Sequence, residues 1–307
     1  MVDLVGWSLS AADAAITVIT QLYDSAQLTS RDKAVGDGTE AVVHDSKDMR
    51  AFEDPQTEAD IRSQAIIIGT LSKHFPGVRI VGEEGPDVNA LAEKDSLPSA
   101  AQDISELVEG RVSEEHQTLD PAQIVLWVDP LDGTKEYILG VLDAVTVLIG
   151  ISYKGKAIAG VVAQPFAPKL KCWGIVGVGA FGIPLAPIHS DSESRLVIAL
   201  SRSHMTEDIE RRVNLLKPTG RLHIGGAGGK MLRLLQGDVD LYFHPSPGTK
   251  KWDTCAPQAL LCSAGGVLSD MYGNEIDYAD YKNPANKNGL VATFIKARHH
   301  SKFLCKS

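Results

Sequence analysis

The sequence predicts a layered α/β protein, on three observations. Two stretches near the N-terminus carry apolar residues at helical spacing, and the middle of the chain runs through strand-like apolar segments joined by glycine turns. From about Leu196 the texture changes to alternating strands and helices. With 307 residues, 44% of them hydrophobic and 22% charged, the chain can bury a large core in one large or two medium domains. The division is expected between Pro184 and Ser194, giving regions 1–187 and 188–307.

The first helix is predicted from Leu4, Ala11, Ala14, Ala15, Val18 and Leu22. A second begins at Thr57, where Thr57-x-x-Asp60 resembles a capping box, and runs through Ile61, Ala65, Ile68 and Leu71 to the stop at Pro76-Gly77. Val78 to Gly82 reads as a strand that delivers Glu83 and Glu84 at its end. Residues 85–122 are polar and acidic and read as a loosely packed surface excursion. Ile124 to Val128 is a strand, and Pro130 favours a turn after it that lets Asp129 and Asp132 converge and frees the Leu131 carbonyl. Thr134 to Gly140 reads as a short helix whose N-terminal N–H groups suit an anion.

Ala144–Tyr153 and Ala157–Gln164 are expected as a hairpin, with Trp173–Phe181 as one further antiparallel strand. The second half reads as strand Leu196–Leu200, helix Asp208–Leu216, a glycine-rich turn at Gly225–Gly229, helix Lys230–Gln236 and strand Val239–Phe243.

A net charge of −9 argues against a nucleic-acid polymer or an anionic membrane as partner. Asp3 and Asp13 interrupt the apolar N-terminus, so a signal peptide is not expected there, and no other segment approaches the apolar length of a membrane span. Cys172, Cys255, Cys262 and Cys305 lack zinc-type spacing and are too sparse for a disulfide framework. Reduced thiols in a cytoplasmic protein are the expectation.

Carboxylates end four separate elements: Asp60, Glu83-Glu84, the pair Asp129 and Asp132, and Asp253 after Trp252. Gathered in one site, each like-charge pair near 4 Å would cost about 4 kcal/mol at an effective dielectric of 20. Such a gathering requires cations. Oxygen ligands without a neighbouring His or Cys point to Mg²⁺ rather than zinc, and paired ions of that kind suit hydrolysis of a phosphate ester.

Taken in order, Asp60, Gly-Glu83-Glu84, Asp129-Pro-Leu-Asp132-Gly-Thr134 and Trp252-Asp253-Thr-Cys-Ala256 resemble the motifs of the magnesium-dependent, lithium-inhibited phosphomonoesterases, the superfamily of inositol monophosphatases and fructose bisphosphatases. The longer strings Val125 to Tyr137 and Ser246 to Pro257 are similar to its bisphosphate nucleotidase branch. The resemblance implies an αβαβα sandwich, with an N-terminal metal-binding region, a C-terminal nucleotide-contacting region and the site between them. It implies two to three Mg²⁺, with Glu83, Asp129 and the Leu131 carbonyl at one ion and Asp129, Asp132 and Asp253 at a second. A weaker third would sit near Glu83. Asp60 and Thr134 would orient and deprotonate the attacking water, while Ser201, His204, Gly226, Lys230 and Asp253 would contact the nucleotide, Lys230 neutralising its 5′-phosphate.

The implied reaction removes the 3′-phosphate of adenosine 3′,5′-bisphosphate to give AMP, and of 3′-phosphoadenylyl sulfate, with some action on inositol 1,4-bisphosphate. An inositol polyphosphate 1-phosphatase shares the metal set and is the rival enzyme. A catalytically silent nucleotide sensor is the rival outside enzymology, and retention of Asp60 and Thr134 speaks against it. Glu84 is divided between supporting the ligands and facing solvent, Trp252 is expected to anchor Asp253 in the core, and Lys250 and Lys251 fit either a solvated turn or attraction of a polyanion. The short segment Phe166–Lys171, and Thr249 where the nucleotidases usually carry cysteine, are departures that bear on substrate preference.

Overall fold

The computed structural model describes residues 1–25, 29–32, 41–42, 55–86, 97–187, 195–202, 205–295 and 297–305. The helices are α1 (Val2–Asp24), α2 (Glu58–His74), α3 (Ser105–Val108), α4 (Glu114–Gln117), α5 (Thr134–Ile138), α6 (Glu207–Leu215), α7 (Ala227–Gln236) and α8 (Lys251–Ser263). The strands β1 (Thr29–Asp32), β2 (Ala41–Val42) and β3 (Pro55–Thr57) form a small sheet in the order β2-β1-β3. A six-stranded sheet runs in chain order through β4 (Arg79–Gly82), β5 (Ile124–Asp132), β6 (Thr146–Tyr153), β7 (Lys156–Ala163), β8 (Lys171–Ile175) and β9 (Gly179–Phe181). A five-stranded sheet contains β10 (Val197–Ser201), β11 (Gly220–Ile224), β12 (Leu241–His244), β13 (Val267–Ser269) and β14 (Leu290–Thr293), in the order β11-β10-β12-β14-β13.

The layers follow from which face each element buries. Alternation along β6 sends Val147, Ile149 and Ile151 towards α1 and α2, into one core with Leu9, Ile19, Ile67 and Leu71. Leu148 and Val162 point the other way and pack with Leu234, Leu235 and Leu260 of α7 and α8, which also cover Ala199, Tyr242 and Ala292 of the five-stranded sheet. The outer face of that sheet, with Ile198, Leu200 and Leu241, is closed by Ile209 and Val213 of α6. The result is the expected αβαβα sandwich. By length and composition α1 is apolar enough to cross a bilayer, and here its apolar residues pack into the core beside α2.

A row of glycines seats α8. Gly150, Gly160 and Gly174 are paired across β6, β7 and β8, and a Cβ on Gly160 would lie 2.6 Å from the Ala256 carbonyl oxygen. Backbone cannot yield there as a side-chain tip can, so any larger residue would lift α8 and with it Asp253.

Several expectations are corrected. β5 does not stop at Pro130 but continues to Asp132, with its pairing to β6 irregular between Asp129 and Asp132; the missing proline N–H falls where the ladder is already broken. Trp173–Phe181 is a hairpin of two strands rather than one, turning at Gly177 with φ 83°. The glycine run is the first turn of α7 rather than a free turn: the helix begins at Ala227, and Gly228 and Gly229 press against Thr146 and Ala144. The excursion is not wholly superficial, since Ile104 and Val108 join the core and the Gln102 N–H donates to the Gly6 carbonyl. Most of the expected domain boundary, 188–194, lies outside the described residues.

Candidate active site

Four elements meet at one cavity of about 530 Å³, within the range of small-molecule sites. Glu83 follows β4, Asp129 and Asp132 close β5, Thr134 opens α5, and Asp253 sits in the first turn of α8. Asp129, Asp132 and Asp253 each offer an oxygen, all within 4.8 Å of one another. Asp129 is 1% exposed. Burial, then the charges of Glu83, Asp132 and Asp253, hold its carboxyl well above the ordinary carboxylate range. Burial and the neighbouring Glu83 and Asp132 push Asp253 up to about 8.

Glu83 and Asp129, and Asp129 and Asp253, are close enough for each carboxyl to bear on the other's protonation. Acidic groups pressed together in this way must either share protons or enclose cations. Because every donor is a hard oxygen, the cluster fits a divalent ion such as Mg²⁺. The Leu131 carbonyl lies on the same turn, with the Leu131 N–H donating to Asp129 Oδ1 at 3.1 Å and Thr134 Oγ1 within 3.2 Å of Leu131 O.

Asp132 has a second task. Its Oδ1 accepts the Ala227 N–H at 2.8 Å, and its Oδ2 accepts the Gly228 N–H and the Thr146 hydroxyl at 2.7 Å each. It thereby satisfies the orphan donors at the start of α7 and ties that helix to β5. These donors counter the burial that raises its pKa.

Asp60 divides its oxygens between two functions. Oδ2 accepts the Thr57 N–H at 2.7 Å and the Thr57 hydroxyl at 2.5 Å, completing the capping box of α2. Oδ1 accepts the Thr134 hydroxyl at 3.0 Å. The helix cap and the pairing with Thr134 coexist in the structure, because the cap aims the other oxygen at Thr134.

Of the expected nucleotide contacts, Ser201, Gly226 and Lys230 line the cavity, while His204 lies outside the described residues. Lys230 is buried, donates to the Gly226 carbonyl and stands 5.3 Å from the centroid of Tyr242. Burial lowers its pKa to about 8 against the opposing pull of Asp132, Glu136 and Asp253.

Glu84 faces protein rather than solvent, accepting from Gln56 Nε2 while its N–H donates to Gln64 Oε1 at 2.8 Å. Lys251 is also internal: its Nζ donates to the Asp280 carbonyl at 2.7 Å. Lys250 lines the cavity. Trp252 is only half-buried, packing on a cluster of Trp127, Cys255 and Tyr278 while forming part of the cavity wall. The Thr249 hydroxyl accepts from Asn286 Nδ2 at 3.1 Å and is committed to the wall.

A model of the inositol monophosphatase family matches residues 5–304. The chain belongs to this family. Among members of the inositol monophosphatase family, it is 40% identical over 258 residues to human 3′(2′),5′-bisphosphate nucleotidase 1, covering 78% of this chain and 79% of that one. It is 34% identical to the protein of the same name from Dictyostelium discoideum, covering 84% and 86%. The fold is also that of the extragenic suppressor protein suhB from Bartonella henselae, with a TM-score of 0.66 at 22% identity over 97% of this chain and 96% of that one.

Sequence reasoning missed cavity residues that inositol monophosphatase motifs do not mark: Glu136, Arg202, Tyr242 and His244. His244 ends β12 beside Ser201 at the end of β10, with Nδ1 3.5 Å from the Ser201 hydroxyl. The signal available was that β10 and β12 are parallel neighbours, whose carboxyl ends commonly face a ligand. Glu136 carried no such signal.

Proposed function

We propose that this protein is a divalent-cation-dependent phosphomonoesterase that releases the 3′-phosphate of adenosine 3′,5′-bisphosphate, leaving AMP, and acts likewise on 3′-phosphoadenylyl sulfate to leave adenylyl sulfate. One observation carries the reading: the Thr134 hydroxyl, paired with Asp60 at 3.0 Å, opens on the cavity that also holds Asp129, Asp132 and Asp253. The names borne by the human and Dictyostelium relatives support the choice of substrate.

Two to three Mg²⁺ would be held by Glu83, Asp129 and the Leu131 carbonyl, by Asp129, Asp132 and Asp253, and more weakly near Glu83. When bound, the ions supply positive charge to the phosphate oxygens and to the departing alkoxide. Thr134 and Asp60 act on the attacking water. As its oxygen bonds to phosphorus and the bond to the 3′-oxygen breaks, the Thr134 hydroxyl takes a proton from the water and passes its own to Asp60 Oδ1. A hydroxyl alone is too weak a base for this, but its carboxylate partner makes the relay feasible.

Asp132 holds α7 against β5, keeping the two halves of the cavity together. Ser201, Gly226 and Lys230 would contact the nucleotide, Lys230 facing its 5′-phosphate, and Asp253 would touch the sugar. Inhibition by Li⁺ and a cytoplasmic location belong to the same reading.

The test is phosphate release by purified protein from adenosine 3′,5′-bisphosphate and inositol 1,4-bisphosphate, with and without Mg²⁺ and Li⁺. Mg²⁺-dependent, Li⁺-sensitive release with preference for the nucleotide is expected. A large preference for the inositol compound, or binding of the nucleotide without turnover, would overturn the reading.

A further inference from the structure

We propose that Glu136 is a specificity-determining residue, its carboxylate accepting a hydrogen bond from the sugar hydroxyl next to the phosphate-bearing carbon of the substrate. The inference rests on the phosphatase reading and adds to it the feature by which the ligand's sugar is recognised.

Glu136 sits in α5, is 4% exposed and lines the cavity. It stands apart from the tight acidic trio of Asp129, Asp132 and Asp253. Its carboxyl lies on the Cα of Gly225, where a Cβ would come within 2.2 Å of Oε1. The next residue, Gly226, stands in the same relation to Asp132, with a Cβ there 2.6 Å from Oδ2. The two carboxylates thus lie side by side against consecutive glycines, one in the acidic cluster and the other one step outside it.

Among the described residues, no other side chain donates a hydrogen bond to the Glu136 carboxylate; its own backbone N–H and the charges of Lys230, Asp132 and Arg202 are what act on it. A carboxylate can accept about four hydrogen bonds, and a buried one is costly until donors are found. A phosphate bound at the cluster brings no donor of its own. The nearest donor on such a ligand is a hydroxyl on the neighbouring sugar carbon, and it arrives beside Asp132, where Glu136 has acceptor capacity to spare.

The test compares adenosine 3′,5′-bisphosphate with its 2′-deoxy analogue as substrates, and AMP with 2′-deoxy-AMP as ligands whose binding is measured without turnover. The wild-type protein should favour the hydroxyl-bearing member by roughly 10- to 100-fold, the range for a hydrogen bond to a charged acceptor. Glu136→Ala should bring both ratios close to one, and Glu136→Gln, which keeps an acceptor oxygen, should retain part of the preference. Gly225→Ala should lower the ratios with the carboxylate still present, since the three atoms nearest the added methyl all belong to the Glu136 side chain, which must move aside. Wild-type indifference to the hydroxyl, or an unchanged ratio in Glu136→Ala and Gly225→Ala, overturns the proposal. If the wild-type protein releases no phosphate from either nucleotide, the phosphatase reading is what fails, and the binding ratios still decide the role of Glu136.

Discussion

Replacing Asp60 by Asn separates the two functions that this residue combines. An Asn amide has one acceptor oxygen and one NH₂ group, whereas Asp60 accepts from Thr57 with one oxygen and from Thr134 with the other. The cap offers two donors, the Thr57 N–H and its hydroxyl, so the amide oxygen should stay on that side and turn the NH₂ towards Thr134. The cap then persists with weakened bonds, costing about 1 kcal/mol by the usual scale of N-terminal caps. The Thr134 hydroxyl, by contrast, loses its proton acceptor and faces a donor. Loss of a positioned base costs roughly 10²- to 10⁴-fold in rate. Asp60→Asn should therefore lower kcat by at least about 100-fold while shifting the melting temperature by only a few degrees. The assay is phosphate release at saturating substrate and Mg²⁺, paired with thermal unfolding in the same buffer. Thr57→Ala is the control, since it removes the side-chain cap but leaves Asp60 Oδ1 facing Thr134; its stability loss should be similar and its rate loss much smaller. If Asp60→Asn keeps more than about a tenth of the wild-type kcat, or loses activity no faster than Thr57→Ala, the relay through Thr134 is wrong.

Asp129→Asn should abolish Mg²⁺-dependent turnover while leaving the fold intact, because the amide can still accept the Leu131 N–H; retained activity, or a retained Mg²⁺-induced rise in melting temperature, would remove Asp129 from the ligand set. The carboxyls of Asp129 and Asp253 have pKa values raised on folding, so the metal-free native state binds more protons than the unfolded chain above the ordinary value of 3.8. Their contribution to stability is full below that value and is lost as pH rises towards about 8, the value for Asp253. Metal-free protein should accordingly melt lower at pH 8 than at pH 5.5 on this account, Mg²⁺ should restore most at the higher pH, and adding Mg²⁺ at pH 7 should release protons into a weak buffer. No proton release would contradict the shared-proton picture of the cluster. Lys230→Ala should lower kcat/KM for adenosine 3′,5′-bisphosphate more than for inositol 1,4-bisphosphate, and equal losses would count against a 5′-phosphate role.

What could be read without coordinates was local. The capping box at Thr57 and Asp60, the hairpin at Lys154–Lys156 and the clustering of Asp129 with Asp132 are each written within a few residues. Short-range spacing is enough to specify them, because the chain geometry between such neighbours is nearly fixed. The motif order also indicated that Asp253 would join the same cluster.

The tertiary structure decided how distant segments meet. Only packing could show that the glycines of three strands align to seat α8, that Asp132 caps α7 as well as joining the acidic cluster, and that Glu84 turns to Gln56 rather than to water. It also decided that the proline of β5 sits inside an irregular strand rather than ending it. Glu136 is the clearest case: in the sequence it is one charged residue of a short helix, and it becomes a buried acceptor only because Gly225, far along the chain, offers no side chain to keep it out. Residue types and near-neighbour spacing therefore determined which chemistry this protein could hold. The pairing of surfaces far apart in sequence determined which groups face the ligand, since burial and hydrogen-bond partners depend on contacts that no local pattern encodes.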